Sequence, residues 1–283
     1  MSTHAQAGTQ QPAYAIGKPY TVTAYKVDHG SANRMHDDEL ARKLGFQGGF
    51  VLGLGVYGLM TRALVAEHGE DWLGQAMVEL DFRKPVHSGD RIQVFTEPDP
   101  KSPNARAYRL RAVGEDGVER VRMQTWCPND WPEVHPLADL PPVEWEGEKQ
   151  RRSWELMKLH QPFRALRYTP TLEENRSWCA QLHDDLPIYV TGDAPPLHPT
   201  FAMRHVQMCS TNQFLGDSAV HDSTRAIIRK ALRVGQQIEV RNVPVEKYEK
   251  KGNHWVVMYS VVRADGEVAL EQFHKQIFKM RGS

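Results

Sequence analysis

The feature that most constrains this chain is an internal repeat. FRKPVHSGDRIQV (82–94) aligns without gaps on IRKALRVGQQIEV (228–240). Arg83-Lys84 falls on Arg229-Lys230, Gly89 on Gly235, Ile92 on Ile238 and Val94 on Val240, all at one constant offset. Further on, Asp116-Gly117 answers Asp265-Gly266 three residues out of step. A longer hairpin around Lys250-Lys251-Gly252 absorbs that slip, because insertions collect in loops. A repeat of this kind implies one supersecondary unit built twice. The 283 residues leave room for two ordinary domains at roughly 150 residues each. A Pro-rich stretch through Pro128, Pro132, Pro136, Pro141 and Pro142 reads as a semi-rigid linker between them. The expected units are 1–145 and 146–283.

The first unit reads as follows. Residues 1–17 look like a disordered leader, and Tyr20 to Val27 alternate as a strand that breaks at Asp28-His29-Gly30. Asp37 or Asp38 caps a short helix through Leu40, Ala41 and Leu44, ended by Gly45. Phe50 to Val65 is apolar on nearly every side for its first three turns, the pattern of a helix buried all round. Strands should wrap it: Val78, Leu80 and Phe82 alternate, Ile92 and Val94 follow Gly89-Asp90, and Asp116-Gly117 marks a hairpin before Val121 to Trp126. In the second unit Leu197 to Leu215 supplies the equivalent helix, with Pro199 in its first turn. One long apolar helix followed by an antiparallel meander is the order of a hotdog fold, so the expected class is α+β, a double hotdog.

Several functions are argued against. Thirty-five basic residues balance thirty-five acidic ones, which leaves no broad footprint for nucleic acid or an acidic membrane. No apolar run approaches a signal peptide or a membrane span, and the expectation is a soluble cytoplasmic protein. Cys127, Cys179 and Cys209 are scattered, suggesting buried thiols rather than disulfides or a zinc knuckle. Gly53-Leu54-Gly55-Val56-Tyr57-Gly58 spells G-x-G-x-x-G, with Glu79 or Asp81 downstream. Only Phe50-Val51-Leu52 stands where a dinucleotide fold needs a full parallel strand, and the meander that follows is of the wrong type. The small residues are better explained by close backbone approach to the helix. No metal-ligand spacing and no Gly-x-Ser-x-Gly occurs, so neither a metal nor a cofactor is expected, nor an ordinary serine hydrolase.

Between the first strand and the buried helix stand Gly30, Asn33, Met35, His36, Asp38, Ala41, Gly45-Phe46 and Gly53 in that order, with Pro85-Val86 and Gly89-Asp90 later. Over residues 20–95 this set resembles the MaoC-like (R)-specific enoyl-CoA hydratases and dehydratases. Their motif has the form G-D-x-N-P-[LI]-H-x-D, followed by an Ala, a Gly-Phe and a Gly-rich helix start. Here the Pro is Arg34, and the position of the family's catalytic Asp is Ser31. The resemblance implies that water adds across the double bond of a 2-enoyl thioester, or leaves in the reverse reaction. His36 would be the acid–base group, Asn33 and Ser31 would position water or His36, and a Gly53 N–H would stabilise the enolate-like oxygen. Helix N-termini supply such unpaired donors and a positive dipole end. Gly48, Gly49, Phe50 and Tyr57 would line the acyl group. Ser31 cannot replace a carboxylate, and three outcomes stay open: a slow hydratase, different chemistry such as an acyl-CoA thioesterase, or a non-catalytic acyl-thioester binding protein.

Neither Asn33 nor His36 recurs near Glu173 to Cys179 in the second unit. Its expected job is to complete the shared interface and help form the acyl or pantetheine tunnel, with His198 and His205 as satisfied core or tunnel-lining histidines. Arg83, Lys84, Arg229 and Lys230 could meet CoA phosphates, since both copies keep the pair, although solvated strand residues explain them more simply. The partner implied is an acyl-CoA or acyl-carrier thioester, with no nucleic acid and no membrane. A homodimer of the fused pair is compatible with this reading.

Overall fold

A computed structural model of the chain describes residues 14–27, 37–43, 45, 47–144, 147–215 and 219–281. The first half runs β1 (Tyr20–Thr23), α1 (Asp38–Lys43), α2 (Gly53–His68), α3 (Glu70–Gly74), β2 (Ala76–Phe82), β3 (Arg91–Pro98), β4 (Ala105–Gly114) and β5 (Glu119–Cys127). After the linker come β6 (Gln150–Arg151), β7 (Leu166–Tyr168), α4 (Leu172–Gln181), α5 (Pro199–Gln213) and β8 (Phe214–Leu215). The chain closes with β9 (Val220–Ile228), β10 (Ile238–Lys250), β11 (Asn253–Ala264) and β12 (Glu267–Lys279). Ten of the strands form one antiparallel sheet in the order β1-β3-β4-β5-β2-β9-β12-β11-β10-β7. The order reads as two five-strand meanders joined at β2 and β9, with α2 and α5 packed on the buried face and on each other.

Counterparts lie 146 positions apart (82 to 228, 94 to 240), and the backbone keeps that spacing. Val51 N–H donates to the Val86 carbonyl at 2.7 Å, and Leu197 N–H to Leu232 at 2.7 Å. Arg83 and Lys84 both donate to Arg120, as Arg229 and Lys230 both donate to Ala269. Gly89 and Gly235 turn their corners at φ +93° and +85°, a region that glycine enters without strain. At the β2–β9 junction Glu79 pairs with Arg225, its own counterpart, so a local two-fold axis passes between them. The duplication read from one gapless segment therefore extends from β1 to β3. Downstream, β10 and β11 meet in a tight turn at Lys251-Gly252 and outrun β3 and β4, which accounts for the slip of three residues.

The linker is fastened rather than loose. Glu271, buried on β12, accepts from the His135 N–H at 2.8 Å and the Tyr259 hydroxyl at 2.9 Å, and pairs with Arg229, which also donates to the Pro132 carbonyl. Arg241 and Arg263 donate to the carbonyl of Ala138. A carboxylate and three arginines thus hold residues 132–140 against the second half. No helix among the described residues is long and apolar enough to cross a membrane.

Candidate active site

The site grows from the way α2 begins. Phe50 bridges to His87, and Val51 is tied to Val86, so the chain reaches the helix in an extended conformation. Leu52 occupies the N-cap position at φ −53°, ψ 133° and offers no side-chain cap. The first-turn N–H groups are left to face what lies in front of them, with the positive end of the helix dipole behind them. What lies there is a cavity of about 230 Å³, walled by Phe50, Gly53 and Phe82 on the first half and by α5, β9 and β12 on the second. Gly53 is closely packed. A Cβ there would fall 2.8 Å from Phe82 Cζ and 2.9 Å from its Cε1, so the ring rests directly on the helix head.

The far wall is polar and belongs to the second half. Gln207, Ser210 and Thr211 on α5, His221 on β9, and His274 and Gln276 on β12 all face the cavity. His221 packs its ring on Phe82 at 4.5 Å and on His274 at 4.0 Å. The Thr224 hydroxyl links the two imidazoles, 2.7 Å from His221 Nε2 and 3.3 Å from His274 Nδ1, and His274 Nε2 lies 3.4 Å from Gln276 Oε1. Both rings are held neutral. Burial, with the neighbouring His274, keeps His221 well below the ordinary imidazole range, and burial, reinforced by the Arg152 charge, pushes His274 down to about 4.

Ser31, Asn33 and His36 lie outside the described residues. The residues that flank them are described. Lys26 and Asp38 form an ion pair at 2.7 Å, and Asp38 Oδ1 also accepts the Gly49 N–H at 2.8 Å. The Lys26 ammonium and the Gly49 N–H hold the Asp38 carboxyl below the usual range. Gly48 and Gly49 are buried one step behind the cavity, where the Gly49 carbonyl lies 3.3 Å from His87 Nδ1. Phe50 and Gly53 line the cavity; Tyr57 does not. Tyr57 is fully buried in the core and its hydroxyl meets no partner among the described residues, which makes it a packing residue rather than an acyl contact. Arg83 and Lys84 stand in the cavity wall, Arg83 paired with Glu119 at 3.1 Å, whereas Arg229 is committed to the linker and Lys230 to Glu267. Gly58, the last glycine of the nucleotide-like string, lets α5 come close: a Cβ there would sit 3.0 Å from His198 Cε1 and 3.0 Å from Thr200 Cγ2.

The counterpart of this site, at the head of α5, is closed. His198 takes the N-cap, its Nδ1 2.7 Å from the Thr200 hydroxyl and its Nε2 3.2 Å from Asp184 Oδ2. Asn175 donates to the Tyr189 and Pro196 carbonyls and accepts from the His198 N–H. Burial opposes ionisation of Asp184, but the His198 hydrogen bond and the Arg62 charge keep its carboxyl below the ordinary value. His205 stacks on Tyr168 at 3.7 Å and lies 2.9 Å from the Phe201 carbonyl. Both helix histidines are thus satisfied core groups, as expected. Sequence reasoning missed the polar wall of the first-half cavity. Its signal was the alternation Gln272, His274, Gln276, a polar stripe on the buried face of a strand.

No protein-family model matches the chain, and no curated relative does. Solved structures do. A MaoC-like dehydratase superposes with a TM-score of 0.60 at 12% identity, covering 93% of this chain and 98% of its own. A MaoC domain dehydratase candidate from Chloroflexus aurantiacus J-10-fl reaches 0.65 at 12% identity, covering 98% of this chain and 100% of its own. A conserved hypothetical protein of Mycobacterium tuberculosis, described as a double hotdog, reaches 0.62 at 11% identity over 94% of this chain and 98% of its own. At these identities the likeness is one of fold: the chain is a double hotdog of the kind found in MaoC-like dehydratases. A weaker match joins it to an oleoyl thioesterase candidate from Lactobacillus plantarum, with a TM-score of 0.51 at 9% identity over 94% of this chain and 98% of its own.

Proposed function

We propose that the protein is a hydratase or dehydratase of acyl thioesters, working in the cavity at the head of α2. The observation that carries this reading is that the first turn of α2 has no side-chain cap and opens into the cavity. A thioester carbonyl received there accepts hydrogen bonds from the Gly53 turn as negative charge develops on its oxygen, a contribution of about 2.7–4 kcal/mol when one such donor is removed. In this reading His36 moves the proton, with Asn33 and Ser31 positioning the water or the imidazole, since histidine is the side chain best suited to acid–base work near neutral pH. Phe50 and Phe82 hold the acyl group, and Arg83 and Lys84 stand at the wall where a carrier phosphate would approach.

The experiment is direct. The protein is incubated with 2-enoyl-CoAs of several chain lengths and loss of the enoyl absorbance is followed. Turnover that disappears in His36→Ala supports the proposal, and silence across the panel sinks it. Release of free thiol without hydration would move the assignment to a thioesterase.

A further inference from the structure

The cavity has a charge sign that the chain as a whole lacks. Basic and acidic residues balance at 35 each over the sequence. Yet the cavity is lined by Arg83, Lys84 and Arg152 and, among the described residues, by no aspartate or glutamate. In a cleft with low-dielectric walls, charges of one sign focus their field on what enters and concentrate the opposite charge there.

The three cations stand at different depths. Arg83 and Lys84 are exposed and mark the lip; Arg83 keeps 45% of its side chain open to solvent and is answered by Glu119. Arg152 is buried, only 9% exposed, on the second-half wall with the buried His274, Gln276 and Met258. The pairing of Gln150 and Arg151 with Phe214 and Leu215, which directly follow α5, carries it there. Its charge reaches the His274 ring and helps to keep it neutral. A cation at that depth is a weak source of stability, since apolar residues of similar volume often serve the fold as well. It is a strong receptor for a carboxylate, whose geometry its planar fork matches. Arg152 has a contact of its own within the chain, and a guanidinium with five N–H donors can serve a second acceptor.

We infer that the cavity takes the monothioester of a dicarboxylic acid, with Arg152 as the specificity-determining residue that receives the free carboxylate. This rests on the thioester reading. The carrier stays at the lip with Arg83 and Lys84, and the acyl group reaches inward to the buried cation.

The test uses calorimetry on the whole protein. Succinyl-, glutaryl- and adipyl-CoA are each compared with the unsubstituted acyl-CoA of the same carbon count, and all with free CoA. One charge-assisted pair predicts that at least one carboxylated ester binds about 10- to 150-fold tighter than its neutral counterpart. Arg152→Met abolishes that preference, and Arg152→Lys, which keeps the charge, retains part of it. Lys84→Ala weakens both members of a pair alike and leaves the preference in place. Neutral esters that bind the wild type as well as the carboxylated ones overturn the inference, and that result needs no variant to fold. So does a preference that survives Arg152→Met, or one lost in Lys84→Ala, which would place the carboxylate at the lip. A loss in Arg152→Met shared by free CoA also overturns it, assigning Arg152 to the carrier's phosphates. If neither the esters nor free CoA bind, the thioester reading itself fails.

Discussion

Gly53→Ala tests whether the glycine at the head of α2 serves the close approach of Phe82. Alanine keeps the backbone N–H, so any donor to a carbonyl survives; only a methyl is added. That methyl falls 2.8–3.3 Å from three ring atoms of Phe82, all at the far end of its side chain. The ring must yield, with the His221 ring tilted against it at 4.5 Å. Overpacking of this kind costs about 1–3 kcal/mol, offset by up to about 1 kcal/mol from replacing glycine in a helix. The expected net loss is roughly 1 kcal/mol, with a Tm lowered by about 2–4 °C. Urea unfolding of Gly53→Ala, Phe82→Leu and the double variant measures the coupling directly. Phe82→Leu alone destabilises, whereas combined with Gly53→Ala it relieves the clash, giving a favourable coupling of about 1 kcal/mol. Strict additivity of the two changes would refute the steric argument.

Three further outcomes follow from the buried charges. Arg62 on α2 donates to the Tyr14 hydroxyl and to the carbonyls of Leu182 and His183, and lies 3.7 Å from Asp184; Arg62→Met leaves Asp184 buried beside a lost countercharge and should cost about 3–5 kcal/mol in urea, part of it recovered by adding Asp184→Asn. Glu271→Ala removes the anchor of the linker and should expose residues 132–140 to limited proteolysis, read by mass spectrometry of the first cut. His205 and His274 are pushed down to about 4, chiefly by burial. Between pH 6.5 and 4 the unfolded chain takes up protons that the folded chain refuses, so their stability is complete above about 6.5 and is lost as the pH falls. Each contributes up to about 1.4 kcal/mol per pH unit in that window. Unfolding at pH 7 and pH 5 should show a shallower fall in His205→Phe than in wild type; an unchanged slope would contradict the assignment.

The fold was legible because its signals were local and redundant. Gly89 and Gly235 each fix a corner, and Asp116-Gly117 and Lys251-Gly252 each fix a hairpin. The run from Leu54 to Met60 has no polar face to present to solvent, so strands had to cover it. Those features identify elements and their order, which is enough to name the architecture. The site was legible only in part. The resemblance put Gly53 at a helix head, and α2 begins there. The polar wall was harder to read, because His221 and His274 meet through the β9–β12 pairing and are set opposite Gly53 and Phe82 by the β2–β9 junction, and no spacing in the sequence encodes either contact. Tyr57 was misjudged for a related reason: helical periodicity does not say which face of an all-apolar helix meets the cavity and which meets the core.

The two helix heads show how few changes separate a site from a lock. Gly53 corresponds to Pro199, Leu52 to His198, Phe82 to Ile228 and Asp38 to Asp184. Proline removes one first-turn N–H outright, and the His198 ring accepts the Thr200 N–H at 3.3 Å, so the donors at the head of α5 are deleted or used. Asp184 is turned into the core to meet His198 and Arg62, while Asp38 stays outside with Lys26 and Gly49. Arg62 comes from α2, so the closed head of the second half is locked by the helix that carries the open one. The polar wall facing that open head comes in turn from the second half. Neither half is complete alone: each supplies what the other's helix end requires, and the asymmetry that opens one head is the same one that seals its twin.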